Sequence, residues 1–169
     1  MSAILVALVI LVAGTLTAAI VDVRSRRIPN KLTATLAIAA IVLHLGDGTT
    51  ALLIALAAMG AAFALGFLAF SAGWFGGGDV KLLAAACGLV SYPGCLSLVA
   101  FVLVAGAVLA LAQAARTRRL VSLVRNASLL ATTGAPPESP VLLPYGVAIA
   151  GGSVAYACSI LLPAVRLLS

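Results

Sequence analysis

The stretch AAIVDVRSRRIPNKLTATLAIAA, residues 18–40, joins the end of one apolar run to the start of another through a loop carrying Arg24, Arg26, Arg27 and Lys31. One carboxylate, Asp22, stands where the first run gives way to the loop. Two apolar runs hinged on a basic loop suggest a pair of membrane helices with their turn at an anionic surface. The rest of the chain repeats the pattern. Of 169 residues, 64% are hydrophobic and 8% charged, with a mean hydropathy of +1.27. Soluble domains contain about 45–50% apolar and about 25% charged residues. The expected fold is therefore all-α, a polytopic membrane helix bundle forming a single membrane-embedded domain over residues 1–169.

Six spans are expected, at about Ala3 to Val21, Leu32 to Leu45, Ala51 to Ala72, Val80 to Tyr92, Leu96 to Ala115, and Val141 to Leu162. A full crossing needs about 20 apolar residues, so the second and fourth are short. Their ends must lie below the surface or draw the bilayer thin. The first span lacks the basic start of a secretory signal and is expected to be retained. Between spans five and six, Arg116 to Ala131 has apolar residues near helical spacing with arginines elsewhere, which suggests an amphipathic helix on the cytoplasmic surface. Thr132 to Pro140 reads as a flexible linker.

Lysine and arginine set the orientation. They occupy the loop at Arg24–Lys31, the position of Lys81, and the segment with Arg116, Arg118, Arg119 and Arg125, whereas the loops at Gly46–Thr50 and Ser91–Gly94 have none. The basic loops are expected in the cytoplasm. Arg166 runs against this alone. The net charge of +6 is thus accounted for by topology and lipid, and with no aromatic interleaving no nucleic-acid partner is expected. Cys87, Cys95 and Cys158 form no CxxC pair; no metal and no cofactor are expected.

Four acidic residues remain: Asp22, Asp47, Asp79 and Glu138. Asp47 lies in a Gly-Asp-Gly turn, Glu138 in the Pro-rich linker, and His44 is expected as an interfacial polar group. Asp79 closes the glycine run in GWFGGGDVKLL, residues 73–83. Alone it reads equally as a helix N-cap or a catalyst. The charge pattern, however, puts Asp22 and Asp79 at the same depth on the same face. Two ionised carboxylates about 4 Å apart repel by roughly 4 kcal/mol at an effective dielectric near 20, about three pK units, so such a pair keeps one proton near neutrality. That is the state aspartyl proteolysis requires. Gly76, Gly77 and Gly78 can adopt positive φ and admit an extended substrate backbone. Trp74 and Phe75 are expected to anchor this loop at the interface.

These residues resemble a known family. Gly76-Gly77-Gly78-Asp79 contains the GxGD motif of polytopic aspartyl proteases. The segment Asp22–Asn30 is similar to the one carrying the first aspartate of type IV prepilin peptidases, and Leu143–Ala150, with Pro144-Tyr145-Gly146, to the one opening their last helix. The resemblance implies catalytic roles for Asp22 and Asp79. It implies supporting roles for Gly76, Gly77, Gly78, Lys81, Ile28, Pro29, Asn30, Pro144, Tyr145 and Gly146. Local capping chemistry separately makes Asn30 the expected cap of span two. It also implies a prepilin substrate, whose basic leader is followed by an apolar helix in the bilayer, cut at the cytoplasmic face of the bacterial inner membrane. Without an N-terminal domain or CxxC pairs, the chain resembles the short, peptidase-only branch of tight-adherence (Tad/Flp) pilus systems, and no methyltransferase activity is expected. A small proton-coupled transporter and a non-catalytic pilus assembly subunit are the competing readings.

Overall fold

The computed structural model describes residues 2–116 and 145–166, with side chains to 162. All the regular structure there is helical: α1 Ser2–Ser25, α2 Asn30–Gly46, α3 Thr49–Ser71, α4 Gly77–Val90, α5 Gly94–Arg116 and α6 Tyr145–Arg166. The expected surface helix, the linker with Glu138, the start of span six and Pro144 lie outside the described residues.

α1, α3, α5 and α6 are long and apolar enough to cross a membrane; the chain is a multi-pass membrane protein. α2, with 17 residues, and α4, with 14, fall short of that length. At 1.5 Å per residue, α4 is about 21 Å long. Its shortness has a packing counterpart: α4 is the bundle's centre, in contact with all five other helices. Its residues from Leu82 to Leu89 are almost all buried, with Leu82, Ala86 and Cys87 within 1% of complete burial. Around it the others follow in the spatial order α5, α6, α1, α2, α3. The outward faces are apolar, with Val9, Leu65, Phe67, Leu103 and Val108 all exposed, as helices facing lipid tails should be. Buried hydroxyls turn back on their own helices, Thr15 Oγ1 to the Leu11 carbonyl and Ser153 Oγ to that of Ile149, which satisfies them without a partner helix.

Small residues set the helix spacing, as is usual in lipid. α5 and α6 run antiparallel and touch at Gly152, where an added Cβ would stand 2.5 Å from the Val102 Cα. Backbone cannot move aside as a side-chain tip can. Gly152→Val is therefore expected to force the two helices apart and destabilise the bundle by at least about 1–3 kcal/mol, read as a lowered unfolding temperature in detergent. An unchanged temperature would mean that this close contact is not formed.

Alternate connections fall at opposite ends. The C-termini of α1, α3 and α5 and the N-termini of α2, α4 and α6 share one end, which collects Arg24, Arg26, Arg27, Lys31, Lys81 and Arg116 together with Asp22 and Asp79. Asp47 is at the other end as the C-cap of α2, its Oδ2 3.7 Å from His44 Nδ1. His44 also reaches inward, with Nε2 3.3 Å from the Leu89 carbonyl. It thus ties α2 to α4 in addition to any interfacial role.

Candidate active site

The site is assembled from three helix ends. α1 continues a full turn past the expected Val21 boundary, so Asp22 sits inside its last turn and is buried, with 7% exposure. The chain reverses directly afterwards. Arg26, in left-handed backbone (φ 53), donates its N–H to the Asp22 carbonyl at 2.7 Å, closing α1 as a left-handed residue just past a helix commonly does. Ser25 Oγ reaches both the Val21 and Arg27 carbonyls, at 2.8 and 3.0 Å. This tight loop drops Ile28 onto α4, where a Cβ on Gly78 would meet the Ile28 Cβ at 3.1 Å.

The glycine-rich loop is built differently from the sequence expectation. None of Gly76, Gly77 and Gly78 has positive φ; among the described glycines only Gly48 and Gly73 do. Gly73 (φ +76) ends α3, with Gly73 N–H donated to the Phe70 carbonyl and Trp74 N–H to that of Ala69, both at 2.9 Å. That is the Schellman pattern, which favours glycine at this position. The later glycines serve proximity instead. Gly76 is the N-cap of α4 in extended backbone, and a Cβ there would lie 2.7 Å from Asp79 Oδ2. Asp79 is two residues inside the helix rather than at its cap. Its carboxylate folds back over Gly76 and accepts that residue's N–H, the returning half of a capping box. The capping reading of Asp79 is thus partly realised, and it positions the carboxylate.

α6 supplies the third end. The backbone N–H of Gly146 donates to Asp22 Oδ2 at 3.1 Å, and a Cβ on Gly146 would be 3.0 Å from the Asp22 Cβ. Tyr145 lies against Phe75, ring centroids 4.8 Å apart and tilted by 50°. Phe75, expected at the membrane interface, is instead half-buried against α6; Trp74 remains exposed. Only long-range packing identifies this role for Phe75, so no local sequence signal could have revealed it.

Asp79 stands ahead of the apolar run of α4 and outside the four membrane-crossing helices. Burial pushes its carboxyl up to about 6, and the nearby charge of Asp22 adds to the rise, against a smaller lowering by the Gly76 N–H. The two aspartates, 57 positions apart in the chain, therefore act on one another electrostatically.

Lys81 and Asn30 lie on another flank. Lys81 Nζ donates to Asn30 Oδ1 at 3.0 Å, linking α4 to α2. Asn30 is accordingly not the cap of α2. Pro29 holds that position in extended backbone, with no side-chain cap bond, and its carbonyl accepts the N–H groups of Leu32 and Thr33 at 3.1 and 3.4 Å. Proline's fixed φ suits the turn into the helix, which leaves the Asn30 amide free to meet the lysine. Among the described residues no cluster of His, Cys, Asp and Glu could hold a metal ion.

A family model described as the type IV leader peptidase family matches residues 9–111, more than half of the chain and including both aspartates. No curated protein matches, and no solved structure does.

Proposed function

The chain belongs to the type IV leader peptidase family, and from that premise we propose that it is an intramembrane aspartyl endopeptidase that removes the basic leader from prepilins of the Tad/Flp type. Asp22 and Asp79 share a water and one proton. The ionised carboxylate takes a proton from the water, whose oxygen attacks the scissile carbonyl carbon. The neutral carboxyl gives its proton to the carbonyl oxygen, and collapse of the tetrahedral intermediate delivers a proton to the departing nitrogen. One water is consumed and the dyad returns to its single-proton state. Gly146 holds Asp22 through its N–H, Gly76 leaves room for Asp79, and the Lys81–Asn30 link braces the loop that follows Asp22. The observation that carries this reading is the meeting of the ends of α1, α4 and α6, with Asp22 bonded to Gly146 and acting on Asp79.

The reacting end faces the cytoplasm of the bacterial inner membrane, where a prepilin's leader begins; the basic residues gathered at that end support this. α2 and α4 complete a six-helix embedded domain. The direct test is co-expression with a small protein that has a basic leader, a glycine and an apolar helix, followed by its electrophoretic mobility. A shift that depends on this chain supports the reading, and an unprocessed partner with a correctly inserted enzyme would count against it.

The pH dependence has a definite sign. The proton needed for donation is held below about 6 and lost above it, so activity should fall as pH rises through that value. Cleavage by detergent-solubilised enzyme is expected to be tens of times faster at pH 6 than at pH 8, as the protonated fraction drops about tenfold per unit. A rate that stays level between these values would contradict a single-proton dyad.

A further inference from the structure

The helices around α4 do not close into a ring. α5 packs on α6, α6 on α1, α1 on α2 and α2 on α3, but α3 and α5 share no packed interface among the described residues. These are also the two long helices with the least burial. Where they part, a cavity of about 280 Å³ is bordered by α3, α4, α5 and α6, with Asp79 in its lining. Gly66 of α3 and Leu103, Gly106 and Ala107 of α5 line its sides, and Asp79 and Tyr145 are its only polar side chains among the described residues.

A second cavity, about 600 Å³, lies between α2, α3 and α4 and is lined by Asn30 and Lys81 but by neither aspartate. The two are on different faces of α4. Asp79 and Leu83, four residues apart, share one face; Lys81, Ala84 and Ala85 point about half a turn away. The larger opening therefore reaches neither carboxylate, whereas the smaller one reaches Asp79.

We infer that the α3–α5 gap is the lateral entrance of the site and holds the apolar helix of the substrate just beyond its scissile bond. The inference rests on the peptidase reading and adds to it the side of approach and the residues that set it. Its support is the continuity of the apolar wall with Asp79. A peptide whose extended, polar junction runs into an apolar helix can place that junction at the carboxylate while its first helical side chains fill the gap. A lipid chain would lay only methylene groups against a carboxylate and a phenol, adding no polar partner to either. The wall is shaped for close approach by a helix: Gly106 has only an ordinary contact behind it, a Cβ there lying 3.7 Å from that of Ala148. A longer side chain at this position can extend into the gap and occupy it.

Two measurements test the inference. Gly106→Phe should raise the KM for a full-length prepilin by about tenfold or more, the scale on which pocket volume discriminates among apolar groups. Gly60→Phe, at the second cavity where an added Cβ meets nothing within 4 Å, should leave KM within about twofold. In parallel, benzoylphenylalanine replacing Leu103 should photo-crosslink to the prepilin helix in Asp22→Asn enzyme, and benzoylphenylalanine replacing Phe63, which lines the second cavity, should not. Equal effects of the two glycine substitutions, crosslinking from position 63 instead of 103, or capture of only lipid or a second enzyme copy at 103 would overturn the entrance. If the unsubstituted enzyme cleaves no prepilin at all, the peptidase reading falls as well; cleavage with the wrong crosslinking pattern removes the entrance alone.

Discussion

Asp22→Asn and Asp79→Asn are each expected to reduce prepilin cleavage by about a thousandfold or more, while the protein inserts and unfolds much as the unsubstituted chain does. Asparagine keeps the shape and one side-chain carbonyl oxygen of aspartate. At position 22 that oxygen can still accept the Gly146 N–H, which bonds Oδ2 at 3.1 Å, and at position 79 it can still accept the N–H of Gly76. What is lost is the ability to exchange a proton, and general acid–base steps of this kind are each worth about 10² to 10⁴ in rate. Because the carboxylates act as a unit, the double substitution should cost little more than either single one. The check is the rate of leader removal for the three variants at matched membrane levels, with thermal unfolding alongside. Cleavage within about tenfold of normal by either single variant would contradict the dyad, and normal pilus assembly with both replaced would favour a non-catalytic assembly subunit.

A methyl group at Gly76 should separate activity from stability. In Gly76→Ala the new carbon would be placed 2.7 Å from Asp79 Oδ2, so the carboxylate must swing away. The backbone at Gly76 is extended, φ −78 and ψ 146, a conformation alanine adopts without strain. The displaced atom is the tip of a side chain, so the fold should hold. A displacement of about 1 Å at a reacting group can cost on the order of 10² in rate, and a kcat loss of about that size is expected with little change in unfolding temperature. Gly73→Ala should behave in the opposite way. Its φ of +76 lies in the region where a side chain costs about 1–3 kcal/mol, but it does not touch the carboxylates. If Gly76→Ala cleaves at the normal rate, the folded-back position of Asp79 is not the working one.

The glycines of this loop meet two different physical needs. The glycine run drew attention to Asp79, yet the expected reason, positive φ, applies to Gly73 alone in that loop. Whether a glycine is needed for its own torsion or for a neighbour's space depends on which atoms lie opposite, and Ile28, Phe70 and the folded-back Asp79 carboxylate come near Gly78, Gly77 and Gly76 only after folding. Asn30 and Phe75 teach the same lesson. Local rules suggested a cap and an interfacial anchor, but the partners that claimed them, Lys81 and Tyr145, are 51 and 70 positions away.

The sequence by itself determined that this is a helical membrane protein, which end of each helix carries the basic residues, and that Asp22 and Asp79 belong at that same end. Those properties depend on hydropathy and on the alternation of charge along the chain, and both act through the bilayer on one segment at a time. The tertiary structure alone decided that the short α4 lies at the centre, that Gly146 rather than a side chain holds Asp22, and that the bundle stays open between α3 and α5. Those features are set by the spacing of helices whose small residues touch across the bundle. Helix spacing is a property of pairs of segments, which no single stretch of the sequence carries.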